Sequence, residues 1–101
     1  MGGQSAPHVL IIYEVADYAA WKIVFDDAAA IRREAGELSY QLLKSEADAN
    51  RIVHFSRWRS LTAARAFFES PRLEEIRRQA GVKVPEFLYL EALETGVLEQ
   101  E

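Results

Sequence analysis

His54, Ser56 and Trp58 alternate along the stretch NRIVHFSRW (residues 50–58), so in an extended chain their side chains leave the same side. Imidazole exchanges protons near neutrality, which makes His54 the candidate general base, with Trp58 beside it as a ligand-contacting ring. The same histidine has a structural use: a strand His hydrogen-bonded in the core or at a subunit seam. Tyr13, in HVLIIYEV, is expected to face this row from a neighbouring strand.

Two arginines stand where charges are not expected. On a wheel of about 100° per residue, Arg32 falls between Trp21 and Phe25 on the apolar face of its helix. A guanidinium entering a cleft there could hold a carboxylate or a phenolate. The economical alternative is snorkelling, with the aliphatic stem covering the core and the head reaching water one turn from the helix end. Arg77, at the edge of the face made by Leu73, Ile76 and Ala80, has the same two readings. Trp21 and Phe25, at i and i+4, are expected to hold the helix onto a sheet and to shape the wall of any cleft. Asp26, Asp27, Glu74 and Glu75 fall on solvent faces with neither His placed to join them, so no metal site is expected.

The elements that must position these groups follow from periodicity. Residues 8–15 are rich in β-branched side chains and read as a buried strand, and Asp17 reads as the N-cap of a helix. In that helix Tyr18, Trp21, Val24, Phe25, Ala28, Ile31 and Ala35 share a face, Lys22, Asp26 and Arg33 lie opposite, and Gly36 fits the C′ position. ELSYQLLKSE and NRIVHFSRW alternate as a hairpin around ADAN. Ser60 caps a short helix, Ser70 and Pro71 start another that Gly81 ends, and EFLYLEALE is the last strand. The order is β-α-β-β-α-β with the second helix split. This predicts an α+β, ferredoxin-like domain over residues 8–94, with a four-stranded antiparallel sheet, a loose arm at 1–7 and a tail at 95–101. Apolar residues occupy both alternations of the strands, so the sheet face without helices also needs cover, most simply a second copy of the chain.

Composition removes several classes of function. Half of the 101 residues are apolar and 28% are charged, which fits one packed core. A net charge of −4 supplies no field for phosphate neutralisation, so nucleic acid is not an expected partner. The longest apolar run, VLIIY, is far short of the roughly 20 residues that span a bilayer, so no membrane association is expected. The absence of Cys excludes disulfides and thiolate metal sites and is compatible with a cytoplasmic location.

DYAAWKIVFD, SRWRSLTAARAFFESP and the element order together resemble the dimeric α/β-barrel superfamily, which includes antibiotic biosynthesis monooxygenase-like and stress-responsive barrel proteins. The resemblance covers roughly residues 8–94 and is closest to a group of small bacterial proteins of unassigned function. It implies that two sheets pack into a barrel across a homodimer, with a cleft between sheet and helices in each subunit. Haem-degrading members carry an Asn on the first strand, a Trp ending the third and a His in the following helix. Trp58 matches the Trp, but residues 8–15 hold no Asn and Arg77 stands where the His would be, so haem is not expected. Cofactor-free members oxidise electron-rich phenols. The resemblance therefore implies binding or oxidation of a small aromatic, polyketide-like molecule without cofactor, with His54 as base and Trp58, Tyr13, Arg32, Trp21, Phe25 and Arg77 around the ligand. The alternative is a non-catalytic dimeric stress-response or scaffold module. An open cleft favours the first, and one filled by Trp21, Phe25 and Phe68 favours the second.

Overall fold

Strand β1 (Pro7–Glu14) begins one residue earlier than its periodicity suggests, because Pro7 already pairs with Glu91. The computed structural model describes residues 7–79 and 85–99; the expected helix stop at Gly81 lies outside them, as do residues 1–6 of the arm and 100–101 of the tail. After β1 come α1 (Tyr18–Asp27), α2 (Ala29–Ala35), β2 (Glu37–Lys44), β3 (Arg51–Trp58), α3 (Leu61–Phe68), α4 (Pro71–Gln79) and β4 (Glu86–Glu91). The strands form one antiparallel sheet in the order β2-β3-β1-β4, a ferredoxin-like α+β arrangement. Residues 92–99 have no regular structure, so the last strand stops short of Glu94.

Local chemistry explains most of the boundaries. The Asp17 carboxylate accepts from the Ala19 N–H at 3.3 Å, and the Ser60 hydroxyl accepts from the Ala63 N–H at 3.0 Å, each satisfying a donor that the first turn leaves open. Ser70 does the same for Leu73 at 3.2 Å, with Pro71 at the first helical position, where no N–H is needed. Gly36 ends α2 at φ 125°, a conformation that side chains with a Cβ avoid.

The first helical segment differs from its periodicity. It is broken at Ala28 (φ −89°, ψ 3°), whose N–H is shared between the Val24 and Phe25 carbonyls at 3.1 and 3.3 Å. The turn into α2 takes the Phe25 carbonyl out of the regular helical ladder, and a side chain farther along fills the need.

The sheet has two unlike faces. Val9, Ile11, Tyr13, Ile52, His54, Ser56 and Trp58 point toward the helices and are buried with Trp21, Phe25, Ala64, Phe68 and Leu73. The other face carries Leu10, Ile12, Val53 and Phe55, half-buried, with Leu43, Leu88 and Leu90 exposed. Among the described residues, no helix is long and apolar enough to cross a membrane.

Candidate functional site

The middle of β3 fixes His54. Its register partners are Ile11 in β1 and Leu42 in β2, and it is only 1% exposed. A polar ring in an apolar layer needs a partner, and His54 Nε2 lies 2.7 Å from Glu37 Oε2. The second oxygen of that carboxylate, Oε1, accepts from Arg32 Nε at 2.6 Å. Arg32 also donates through NH1 to the Phe25 carbonyl, the group released by the break at Ala28. Its guanidinium carbon stands 3.7 Å over the Phe25 ring and 5.4 Å from the Tyr40 ring. Arg32, Glu37 and His54 thus form one buried polar chain walled by aromatics.

Glu37 reaches this position through an irregularity in β2. It pairs with Trp58, whereas Ser39 pairs with Arg57, so Leu38 is an extra residue between two registers. Strict alternation would put Glu37 on the same side as Ser39 and Gln41, away from the helices. The bulge lets both Glu37 and Tyr40 face them. Sequence reasoning missed Glu37 for that reason; the available signal was an Arg on an apolar helix face with a Glu just past the Gly that ends the helix.

The expectation that Arg32 snorkels to water is overturned. Its side chain is 6% exposed, and a carboxylate five residues on meets it inside the protein. His54 is hydrogen-bonded in the core, as its structural reading required, but only at one nitrogen: Nδ1 is buried without a partner among the described residues. A ring that donates from Nε2 to the Glu37 carboxylate is the arrangement in which both atoms of this contact are satisfied. In the neutral ring, Nδ1 then holds a lone pair.

Between α1, α3, α4 and the sheet lies a cavity of about 40 Å³ whose wall includes Tyr13, Trp21, Phe25, Arg32, His54 and Arg77. Six of the seven sequence candidates are therefore brought together. The seventh, Trp58, is fully buried but not on the wall: it packs on Phe67 and Phe68 at ring distances of 5.6 and 5.2 Å and donates from Nε1 to Ser56 Oγ at 2.8 Å. Burial raises the Tyr13 phenol well above its ordinary value, offset in part by Arg77 and Arg32, so Tyr13 is a neutral hydroxyl there and not a base. Arg77 donates to the Phe68 carbonyl at 3.3 Å and lies 5.2 Å from the Phe87 ring. Among the described residues no three His, Asp or Glu side chains gather as a metal site would require.

The family model for antibiotic biosynthesis monooxygenases matches residues 17–79, well over half of the chain. The chain belongs to the antibiotic biosynthesis monooxygenase family. Its fold is that of SnoaB, a cofactor-independent oxygenase from Streptomyces nogalater, at 19% identity over 92% of this chain and 97% of that one, with a TM-score of 0.72. The monooxygenase of ActVA-Orf6 from Streptomyces coelicolor, solved with nanaomycin D, is 19% identical over 95% and 94% of the two chains, with a TM-score of 0.63. Rv0793 from Mycobacterium tuberculosis is 24% identical over 90% and 99%, with a TM-score of 0.63. No curated protein matches in sequence. At these identities the structural likenesses establish the fold, and the chemistry rests on the residues of this family member.

Proposed function

We propose that this family member is a homodimeric, cofactor-independent oxygenase of a small phenolic, polyketide-like molecule held between sheet and helices. The observation that carries the reading is His54: a buried imidazole on the cavity wall, bonded at Nε2 and unpartnered at Nδ1. In this role Nδ1 accepts a proton from a phenol or from the acidic methylene of an anthrone. Arg77, for which no carboxylate partner occurs among the described residues, faces the resulting anion. The anion reduces dioxygen; one oxygen atom enters the ring as a carbonyl and the other leaves with the two methylene hydrogens as water. Anthrone plus O2 then gives anthraquinone plus H2O.

The cavity of about 40 Å³ is far below the roughly 300–1,000 Å³ of a ligand pocket, so binding requires a wall to move. Helix α4 is the wall least tied down: it buries Leu73, half-buries Ile76, and is otherwise polar or charged apart from Pro71. Its displacement enlarges the cavity while leaving the sheet and the Arg32–Glu37–His54 chain in place. On the opposite side of the sheet, Leu10, Ile12, Leu43, Val53, Phe55, Leu88 and Leu90 form the face that a second copy covers. The lack of Cys fits work in the reducing cytoplasm. The non-catalytic alternative draws support from the same small volume, because Trp21, Phe25 and Phe68 already fill most of the cleft.

The test is a thermal-shift series with 1,8-dihydroxyanthrone and related phenols, followed by oxygen uptake. A ligand at 100 times its Kd should stabilise the protein by about 2.7 kcal/mol, and quinone should form faster than in buffer alone. His54→Ala should keep the shift and lose the turnover. An absence of any shift across the series would refute the oxygenase reading and leave the dimeric module. Val53→Lys should yield single chains in ultracentrifugation; a persistent dimer would overturn the assignment of that face.

A further inference from the structure

We infer that Glu37 is the positioning residue of the site: it holds the His54 imidazole in the Nε2–H tautomer and so presents the Nδ1 lone pair as the base. The inference rests on the reading of His54 above and goes beyond it by assigning roles to two residues outside the proton transfer itself. Four observations converge. Glu37 Oε2 is within hydrogen-bond distance of Nε2 and of no other donor among the described residues, while Oε1 is taken by Arg32. Arg32 is in turn pinned by the Phe25 carbonyl and ring, so the carboxylate cannot rotate away. His54 is itself boxed edge-on by Phe25 at 5.0 Å and Tyr40 at 6.0 Å, which fixes the plane of the ring but says nothing about its proton. The backbone departs from regular geometry twice to bring Glu37 inward, once at Gly36 and once at the Leu38 bulge.

Stability alone does not explain such an arrangement. A buried ion pair commonly gains nothing over well-packed apolar side chains of the same volume. Orientation does explain it. Without Glu37 an imidazole in an apolar cavity would be free to carry its single proton on either nitrogen, and the tautomer with Nδ1–H cannot accept a proton at the cavity. Arg32 contributes at one remove, by keeping one carboxylate oxygen occupied and the other aimed at the ring.

The experiment reads the tautomer directly. In protein labelled with 15N on histidine, the wild-type His54 ring at neutral pH should show a protonated Nε2 and an unprotonated Nδ1. Glu37→Gln, nearly isosteric, should give a mixture of tautomers. With 1,8-dihydroxyanthrone as the probe, its kcat should fall roughly 10- to 100-fold, the range seen when the partner that orients a functional imidazole is removed, with KM changed less than about twofold. Arg32→Met/Glu37→Met, which leaves no unpaired charge if the single variant folds poorly, should show the same mixed tautomer. A wild-type ring protonated at Nδ1, or a single Nε2–H tautomer and full kcat in Glu37→Gln, would overturn the inference. A correct tautomer in a wild-type protein that neither binds nor oxidises the probe would instead sink the oxygenase reading alone, since the spectrum needs no substrate.

Discussion

Removing Glu37 alone should harm the fold more than removing Glu37 and Arg32 together. Both side chains are almost dry, at 4% and 6% exposure. In Glu37→Met the Arg32 guanidinium keeps the Phe25 carbonyl and the two rings but loses its counter-charge, the circumstance in which a broken buried pair costs about 3–5 kcal/mol. The orphaned His54 Nε2–H adds to that cost. In Arg32→Met/Glu37→Met the charge is gone, two flexible apolar side chains fill the space, and the His54 donor and the Phe25 carbonyl lose their side-chain partners, for about 1–3 kcal/mol each. The double variant should therefore be more stable than the single one by about 2 kcal/mol. Urea unfolding followed by tryptophan fluorescence can resolve this: with a slope of about 1.5 kcal/mol per M, the midpoints differ by more than 1 M. A total stability of about 5–15 kcal/mol leaves the single variant folded enough to measure. Equal midpoints, or a double variant weaker than the single one, would refute the claim that the guanidinium is buried as a charge needing its carboxylate.

Three further outcomes are expected. Ser56→Ala strands the buried Trp58 indole N–H and should cost about 1–3 kcal/mol, while Trp58→Phe added to it should recover none of the lost packing but show a coupling of opposite sign; additive effects would exclude that hydrogen bond. Gly36→Ala forces an L residue to φ 125° with its methyl 3.4 Å from Ala63 Cβ, and should lower stability by about 1–3 kcal/mol; a loss in melting temperature within error would contradict the geometry. Tyr13 is held protonated by burial, so the unfolded chain releases its proton first, near pH 10, and stability should fall as the pH rises above that value by up to about 1.4 kcal/mol per unit. Tyr13→Phe should lose less stability over the same alkaline range, and parallel curves for the two proteins would refute it.

The sheet and the faces of its strands are legible because burial repeats every second residue: His54, Ser56 and Trp58 all turn to the helices as their spacing requires. The caps at Asp17, Ser60 and Ser70 are legible because small polar residues there do a specific job on open N–H groups. Arg32 is legible as an anomaly, but its partner is not. Glu37 sits next to a bulge at Leu38, a residue with no turn chemistry of its own, and the alternation of β2 read from Ser39 and Gln41 sends Glu37 to the wrong side. The break at Ala28 is hidden for a similar reason: it lies among alanines, the best helix formers, so intrinsic propensity argues for a continuous helix where tertiary contacts impose a turn.

The extra residue in β2 gives the polar chain a counting rule. Glu37 and Tyr40 are an odd number of positions apart, which regular alternation would place on opposite sides of the sheet, so both face the helices only while Leu38 is bulged out of the ladder; deleting Leu38 would restore regular pairing with Glu37 still turned inward. A chain of the same length whose second strand paired regularly through position 38 would instead turn Glu37 outward and untether the buried histidine without touching the histidine, the arginine or the core. Nearly superimposable backbones can thereby differ in chemistry by whether one strand residue is bulged or paired.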